Sequence, residues 1–122
     1  MRQVVFDSSF LMAVAEAPTT WLDDTTGIVG KFEPVLLDCV RAEMLKLAAE
    51  GSKRSRFARA GLQMASGFRV LPCGKAQVDD EIVSVALSNG AVVATVDGAL
   101  IAALRGAGVS VISLKSGRVG LV

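Results

Sequence analysis

Short apolar runs alternate along this chain with stretches whose apolar residues recur at helical spacing. Residues 91–96 carry no charge and are rich in β-branched side chains, which is typical of a strand buried on both faces. Similar short runs occupy residues 3–6, 35–37, 68–71 and 109–112. The pattern therefore predicts five strands separated by helices.

Residue types at the ends of the helical stretches predict where the helices begin and end. We expect Ser8 and Ser9 to cap a first helix that Pro18 ends, and Asp38 to cap a helix over residues 39–50. Asp97 is expected to be the N-cap of a helix with Leu100 on its inner face. Further helices are predicted at residues 19–30, as a short surface helix, and at 52–67 and 78–90.

Strands joined by helices predict an α/β fold, a three-layer α/β/α sandwich around a five-stranded parallel sheet. A length of 122 residues fits one domain, which we assign to residues 1–122. We expect the strand order 3-2-1-4-5, in which strands one and four meet where the order reverses. Ligands bind at that point in such sheets. Residues 116–118 are interpreted as a turn before a last apolar segment.

Composition narrows the chemistry that the chain can carry. It has no histidine, which excludes Ser-His-Asp and Cys-His nucleophile systems and His-ligated zinc. Its formal charge of +1 gives no overall basic field, so nucleic-acid binding would need a local patch. Chemistry must therefore depend on carboxylates.

The two cysteines, Cys39 and Cys73, lack the close spacing of metal or redox motifs. We expect reduced, buried thiols in a cytoplasmic protein. The longest uncharged run, residues 82–96, is interrupted at 88–90 and is shorter than the ~18 residues of a membrane span. No membrane association is expected.

Acidic residues follow both central strands of the predicted sheet. Asp7 comes directly after strand one and Asp97 after strand four, so the two should face each other at the reversal of strand order. Glu43 lies about one turn inside the helix after strand two, near the carboxyl end of that strand. Considered by itself, this helix would favour the interpretation of Glu43 as a solvated surface residue. Asp79 or Asp80 opens the helix before strand four, where complementing the helix dipole is a sufficient structural role.

Four converging carboxylates repel one another unless a multivalent cation neutralises them, and hard oxygen ligands select Mg²⁺ or Mn²⁺. Such a site activates water and stabilises charge on a phosphate, as in two-metal nucleases. The residues themselves leave the choice between Asp79 and Asp80 open.

A basic cluster lies in the first half of the predicted helix over residues 52–67. It consists of Lys53, Arg54, Arg56 and Arg59. Such a run is usually a solvated face of a helix, yet a cluster of this size also suits binding of RNA phosphates. The sequence leaves both interpretations open.

A flavodoxin-like receiver domain is a rival, because it also places acids at strand ends and a lysine near the fifth strand, here Lys115. A receiver needs an acidic pair after strand one and an aspartate after strand three. This chain has Asp7-Ser8-Ser9 and Leu71-Pro72-Cys73 at those places. The receiver is therefore rejected.

The acidic motifs together resemble the PIN domain family. Residues 5–11, VFDSSFL, look like its first strand and Asp-Ser-Ser turn, and residues 42–44, AEM, like its helical glutamate. Residues 79–82, DDEI, with Ala86 look like its third acid, and residues 93–100, VATVDGAL, like its last strand and Thr-x-Asp. The resemblance covers essentially the whole chain and is closest to compact, single-domain proteins of the archaeal type.

By that resemblance the metal-binding and catalytic residues are Asp7, Glu43, Asp79 and Asp97. Ser8 and Thr95 would support them by hydrogen bonds, and Asp80 is assigned a supporting role beside Asp79. The family's spacing selects Asp79 over Asp80 as ligand. Val96 departs from the Asn or Arg that is more usual before the last Asp, which alters a contact around the ligands and leaves the ligands intact.

The resemblance implies a Mg²⁺- or Mn²⁺-dependent endoribonuclease, similar to toxin or ribosomal-RNA-processing members. The alternative is a PIN-like RNA- or protein-binding module without turnover. The RNA target, and whether an antitoxin protein is a partner, stay open. We expect a homodimer, because a mean hydropathy of +0.51 is apolar for a chain of this size.

Overall fold

The structure, a computed structural model, describes residues 1–17 and 19–122, which form six strands and six helices. The strands are β1 (Arg2–Phe6), β2 (Phe32–Leu37), β3 (Arg69–Leu71), β4 (Val92–Ala94), β5 (Val111–Lys115) and β6 (Arg118–Leu121). The helices are α1 (Ser8–Glu16), α2 (Trp21–Val29), α3 (Asp38–Ala48), α4 (Lys53–Met64), α5 (Val78–Asn89) and α6 (Gly98–Gly106). The helix end predicted at Pro18 lies outside the described residues.

The strands form one sheet of order β3-β2-β1-β4-β5-β6. Neighbouring strands from β3 to β5 are all parallel, which confirms the α/β class and the predicted order 3-2-1-4-5. The strand count of five is wrong, because β6 adds to β5 in antiparallel orientation. The sheet is therefore mostly parallel, with one antiparallel edge.

The sixth strand forms because the predicted turn is a tight hairpin. Ser116 and Gly117 both have positive φ, 52° and 77°, and they join the paired residues Lys115 and Arg118. Two consecutive left-handed residues match the right-handed twist of the flanking strands. Arg118 also donates to both carboxylate oxygens of Asp24 on α2, at 3.1 Å each. The last apolar segment is thus held on the sheet.

The helices form two groups. α1, α3 and α4 contact one another, and α5 contacts α6. From β1 the chain adds β2 and β3 on one side of the sheet, and it then adds β4 and β5 on the other side of β1. Because each crossover between parallel strands is right-handed, this reversal of direction places the two groups of helices on opposite faces. The sheet between these layers is fully buried at its centre, as at Val4, Val5 and Val93. No helix among the described residues has the length and apolar character that crossing a membrane requires.

An aromatic cluster fixes the carboxyl end of β1. Phe6 is fully buried, and other rings surround it with centroids 5.1–6.3 Å away. These rings belong to Phe10, Trp21, Phe32 and Phe68. Trp21 thereby anchors α2, the helix predicted at the surface. Asp7 follows Phe6 directly, so its backbone starts from a rigid part of the core.

Two of the predicted helix caps are wrong, and one is confirmed. Asp97 is the N-cap of α6, and its Oδ1 accepts from the Leu100 amide at 3.1 Å. α1 already begins at Ser8, so Ser8 and Ser9 lie inside the helix and Asp7 takes the N-cap position. Asp38 is likewise the first residue of α3, and its Oδ1 accepts from the Cys73 amide at 2.9 Å.

The prediction of reduced cysteines is also wrong, because Cys39 and Cys73 form a disulfide. Leu37 of β2 pairs with Leu71 of β3, and each cysteine lies two residues beyond its strand. Parallel pairing therefore brings together residues that are 34 positions apart in sequence. Sequence spacing gave no sign of this, since the contact depends on β2 and β3 being neighbours.

Candidate metal centre

Asp7 lies at the carboxyl end of β1, at the point where the strand order reverses. Phe6 pairs with Ala94 of β4, and the Asp7 amide donates to the Ala94 carbonyl at 2.9 Å. The residue is only 6% exposed. Its Oδ2 accepts hydrogen bonds from Ser9 and Thr95. No group among the described residues donates a hydrogen bond to Oδ1 of Asp7. Every fully buried side-chain oxygen in this part of the chain has a partner, so Oδ1, which has none, must be in contact with solvent.

The two hydroxyls that hold Asp7 also tie it to the loop after β4. Ser9 Oγ accepts from the Val96 amide at 3.1 Å, and Thr95 Oγ1 accepts from the Asp97 amide at 3.1 Å. Each hydroxyl therefore accepts one backbone N–H and donates its own proton to Asp7 Oδ2. One carboxylate oxygen is fixed in place while the other is left to bind a ligand.

Asp97 follows this loop and is exposed. Its Oδ1 is the α6 cap described above, and among the described residues no hydrogen bond reaches its Oδ2. Its amide donates to Oγ1 of Thr95, the side chain that also holds Asp7. Asp7 and Asp97 are thus positioned by one hydrogen-bonded unit.

Asp79 lies in the first turn of α5, which contacts both β1 and β4. Although the residue is exposed as a whole, partial desolvation of its carboxyl raises its pKa above the ordinary 3.8. The charges of Asp7 and Asp97, and then that of the neighbouring Asp80, raise the pKa of Asp79 further. Asp7, Asp79 and Asp97 are therefore close enough for their negative charges to repel.

Glu43 lies on α3, exposed, and its Oε1 accepts from Ser8 Oγ at 3.4 Å. It borders a cleft of about 290 Å³ between α1, α3 and α4. Other polar residues lining this cleft are Ser8, Lys46, Glu50 and Arg54. Glu43 is connected to the Asp7 region through the first turn of α1, but more loosely than Thr95 is.

The four acids suit a divalent metal in donor chemistry, although their oxygens are not gathered around one point. Within the described chain, none of the four forms a salt bridge to a lysine or arginine, and no three of their ligand atoms lie within 4.8 Å of one another. Glu43, Asp79 and Asp97 are exposed, so their side chains can change rotamer. Hard carboxylate oxygens without a cationic partner fit Mg²⁺ or Mn²⁺.

The residues that support the acids include one that was not predicted. Both predicted hydroxyls contact one of the four acids, since Thr95 donates to Asp7 at 2.8 Å and Ser8 donates to Glu43 at 3.4 Å. Ser9, which had been interpreted as a helix cap, is the second residue on Asp7 Oδ2. The feature of the sequence that could have predicted this role is the position of Ser9, two residues after Asp7 in the first turn of a helix that begins beside the carboxylate.

The four predicted RNA-binding cations are all exposed on α4, and three of them have different local contacts. Arg54 lines the cleft beside Glu43. Arg59 donates to the Ala48 carbonyl at 2.9 Å, and the Arg56 guanidinium lies 5.1 Å from the centre of the Phe57 ring. Arg54 is thus the member of the cluster that lies at the candidate site.

A buried aspartate at the strand-order reversal of a three-layer α/β sandwich, with further acids around it, defines a domain of the PIN type. The family model described as a PIN-like domain matches residues 4–117, and the chain belongs to this family. No sequence among curated proteins matches this chain.

Solved structures of similar fold include the PIN domain endonuclease Utp24, at 27% identity and a TM-score of 0.76, covering 98% of this chain and 90% of that one. A domain of a functionally unknown protein from Methanocaldococcus jannaschii has 17% identity and a TM-score of 0.69, covering 95% and 93%. PAE2754 from Pyrobaculum aerophilum has 23% identity and a TM-score of 0.57, covering 86% and 81%. The last two support the fold alone.

Proposed function

We propose that this protein is a Mg²⁺- or Mn²⁺-dependent endoribonuclease that hydrolyses RNA phosphodiester bonds. Asp7, Glu43, Asp79 and Asp97 would hold the metal. A bound ion of this kind supplies Lewis-acid stabilisation of phosphate charge and lowers the pKa of water. The likeness to a PIN domain endonuclease supports the nuclease class.

The observation that carries the proposal is the environment of Asp7. Ser9 and Thr95 hold its Oδ2 while its Oδ1 faces solvent, and the nearby Asp79 has a raised pKa. A purely structural aspartate would be expected to use both oxygens within the fold or to pair with a cation. Repulsion among unpaired carboxylates is the cost that a divalent cation removes.

The remaining residues would position the substrate. Lys46 and Arg54 line the cleft beside Glu43 and can bind phosphates on one side of the acidic centre. Lys53, Arg56 and Arg59 would add to the binding of RNA further along α4. RNA would then lie across the carboxyl end of the sheet, with the acids beneath the cleaved phosphate.

The alternative is a PIN-like binding module without turnover, which would bind RNA or protein. One observation favours it, namely that no three ligand atoms of the four acids lie within 4.8 Å in the described chain. A module would bind RNA without needing metal, whereas the enzyme requires the acids to close around an ion.

Cleavage of a panel of structured RNAs distinguishes the two functions. The purified chain should cleave in Mn²⁺ or Mg²⁺, and a chelator should abolish cleavage. An Asp7→Asn preparation purified in the same way controls for contaminating ribonuclease. RNA binding that is undiminished by chelator, with no cleavage at any metal concentration, would assign the binding module.

Assembly is a further part of the proposal. We propose a homodimer, consistent with exposed apolar side chains such as Leu45, Leu87 and Leu121. Light scattering at micromolar concentration should give twice the mass of the 12.7 kDa chain. A cytoplasmic location, and a toxin role with an antitoxin partner or an RNA-processing role, stay predictions from the sequence.

A further inference from the structure

We propose that Asp38, Cys39 and Cys73 form a second metal site, which binds Zn²⁺ when the Cys39–Cys73 disulfide is reduced. In the described chain this is the one group of three potential metal-ligating side chains whose ligand atoms all lie within 4.8 Å of one another. It contains two sulfurs and one carboxylate, and it is separate from the four acids of the candidate nuclease site.

The backbone already holds these three residues together without the disulfide. β2 and β3 are paired up to Leu37 and Leu71, two residues before each cysteine. Asp38 Oδ1 also accepts from the Cys73 amide at 2.9 Å. Breaking the S–S bond would therefore leave both thiols and the carboxylate at the same edge of the sheet. Cys39 and Cys73 are half-buried and Asp38 is exposed, so an ion can reach them.

The exchange between the two states is a balanced two-electron reaction. A phosphine reductant attacks one sulfur and breaks the S–S bond, and water then supplies the oxygen of the phosphine oxide and the two protons of the thiols. Zn²⁺ next displaces those two protons, since the thiolate is the metal ligand. The disulfide and the bound metal are mutually exclusive, because the same two sulfurs form both.

The ligand set selects a different ion from the four acids. Thiolates favour borderline or soft ions such as Zn²⁺, whereas carboxylates alone favour Mg²⁺ or Mn²⁺. Two thiolates and one carboxylate, with water as the fourth ligand, satisfy tetrahedral Zn²⁺. With Zn–S bonds of about 2.3 Å the sulfurs would separate to about 3.8 Å. The Cα atoms of the two cysteines, 5.9 Å apart, need to move little.

The position of the site gives this exchange a consequence for the rest of the fold. Cys39 lies one helical turn before Glu43 on α3, and Cys73 precedes the loop that leads to α5. Either the disulfide or the metal would fasten these two segments together. Reduction without metal would leave them joined only by the β2–β3 pairing and the hydrogen bond from the Cys73 amide to Asp38.

Co²⁺ is the spectroscopic probe, since it occupies zinc sites and gives a thiolate-to-metal charge-transfer band only when sulfur is bound. The full chain is reduced with a phosphine, because dithiols themselves chelate zinc, and Co²⁺ is added without oxygen. Binding of one equivalent should give the band and release about two protons per chain, and Zn²⁺ should then displace the Co²⁺ and abolish the band without further proton release. The oxidised chain should give no band.

Variants separate this site from the acidic one. Cys39→Ser and Cys73→Ser should each lose the band. Asp38→Asn can keep the hydrogen bond from the Cys73 amide but loses a charged ligand. It should bind Zn²⁺ at least about tenfold more weakly, since loss of a residue that only supports a ligand already lowers metal affinity about 10–100-fold. Asp7→Asn should bind as the parent does, and Glu50→Gln, which replaces an exposed acid beyond the end of α3, is the matched acidic control.

Several outcomes would overturn the proposal. The absence of a charge-transfer band in the reduced parent would do so, as would parental zinc affinity in either serine variant. Equal zinc affinity of the parent and Asp38→Asn would remove the carboxylate from the site. Circular dichroism of each reduced variant shows that a lost band does not come from unfolding.

Discussion

The acidic centre has two halves that are built differently. The strand half contains Asp7 and Asp97, which Thr95 and Ser9 connect through a closed set of hydrogen bonds between β1 and the loop after β4. The helix half contains Glu43 on α3 and Asp79 on α5, both exposed. Among the described residues, the contact that ties Glu43 to the site is a 3.4 Å hydrogen bond from Ser8.

This difference suggests how the centre would work. The strand half is fixed by the fold and presents one open oxygen of Asp7. The helix half presents exposed side chains, which can change rotamer, and its Asp79 has a pKa raised by desolvation and by the charges of Asp7 and Asp97. A divalent cation would reverse the repulsion between these charges, so metal binding and closure of the helix half should be coupled.

The largest effect is expected from the strand half itself. Asp7→Asn should lower the rate of RNA cleavage at least about 100-fold. Loss of a residue that only supports a ligand lowers activity about 10–100-fold, and loss of the ligand itself should lower it more. Single-turnover cleavage in Mn²⁺ measures this, with Asp23→Asn on the exposed face of α2 as control. A cleavage rate close to that of the parent would remove Asp7 from the site.

The two serines of the Asp-Ser-Ser turn compare the halves directly. Ser9→Ala removes a donor to Asp7 and an acceptor for the Val96 amide, so cleavage should fall about 10–100-fold. Ser8→Ala removes only the long bond to Glu43 and should cost less. The same cleavage assay tests both, and a greater loss in Ser8→Ala would show that the roles of the strand half and the helix half have been assigned the wrong way round.

The basic cluster should affect binding more than chemistry. Replacing Lys53, Arg54, Arg56 and Arg59 by Gln should weaken RNA binding and reduce the slope of log K against log salt by up to about 3. Of the single variants, Arg54→Gln should have the larger effect and Arg56→Gln the smaller, since Arg54 lines the cleft. Fluorescence anisotropy in a salt series measures the slope. An unchanged slope would make the cluster a solvated face.

The smallest expected effect is on stability without metal. Asp97→Asn can keep the α6 cap and removes one charge that raises the pKa of Asp79, so in EDTA it should be as stable as the parent or up to about 1 kcal/mol more stable. In Mn²⁺ the order should invert, because only the parent gains the full binding free energy. Thermal melts under both conditions measure this. A variant several degrees less stable in EDTA would make Asp97 a structural cap only.

The pH dependence of the same melts has a definite sign. Because the folded pKa of Asp79 is raised, its protonated form favours folding, and that stability is lost as pH rises from the ordinary 3.8 through the folded pKa. With Asp97 neutral the pKa of Asp79 should fall, so the variant should lose less stability over that interval. An equal loss in both proteins would mean that the two carboxylates do not interact.

Local patterns predicted most of the fold. The buried strands and the Asp97 cap follow from apolar runs and helical spacing. The order 3-2-1-4-5, expected for a doubly wound sheet, is also confirmed. β6 was missed because its hairpin needs Ser116, a non-glycine residue, at positive φ. The disulfide was missed because only the pairing of β2 with β3 brings Cys39 to Cys73.

For the candidate site, the sequence predicted which acidic residues lie at the ends of the central strands, but it did not predict every hydrogen bond that holds them. Asp7 and Thr95 lie together because they follow paired strands, which the strand order already implies. Ser9 could not be separated from an ordinary helix cap, since its role depends on where α1 begins relative to Asp7. The distance of Glu43 from the other acids depends on packing between α1, α3 and α4, which periodicity does not determine.

Calorimetric titration with Mn²⁺ tests most directly whether the two halves form one metal site. The parent and Asp23→Asn should bind Mn²⁺ with the same affinity, because Asp23 is exposed on α2 and does not line the cleft beside Glu43. Glu43→Gln should bind at least about tenfold more weakly, since it removes a ligand from the helix half. Equal affinity for all three proteins, or no Mn²⁺ binding by the parent, would contradict the account.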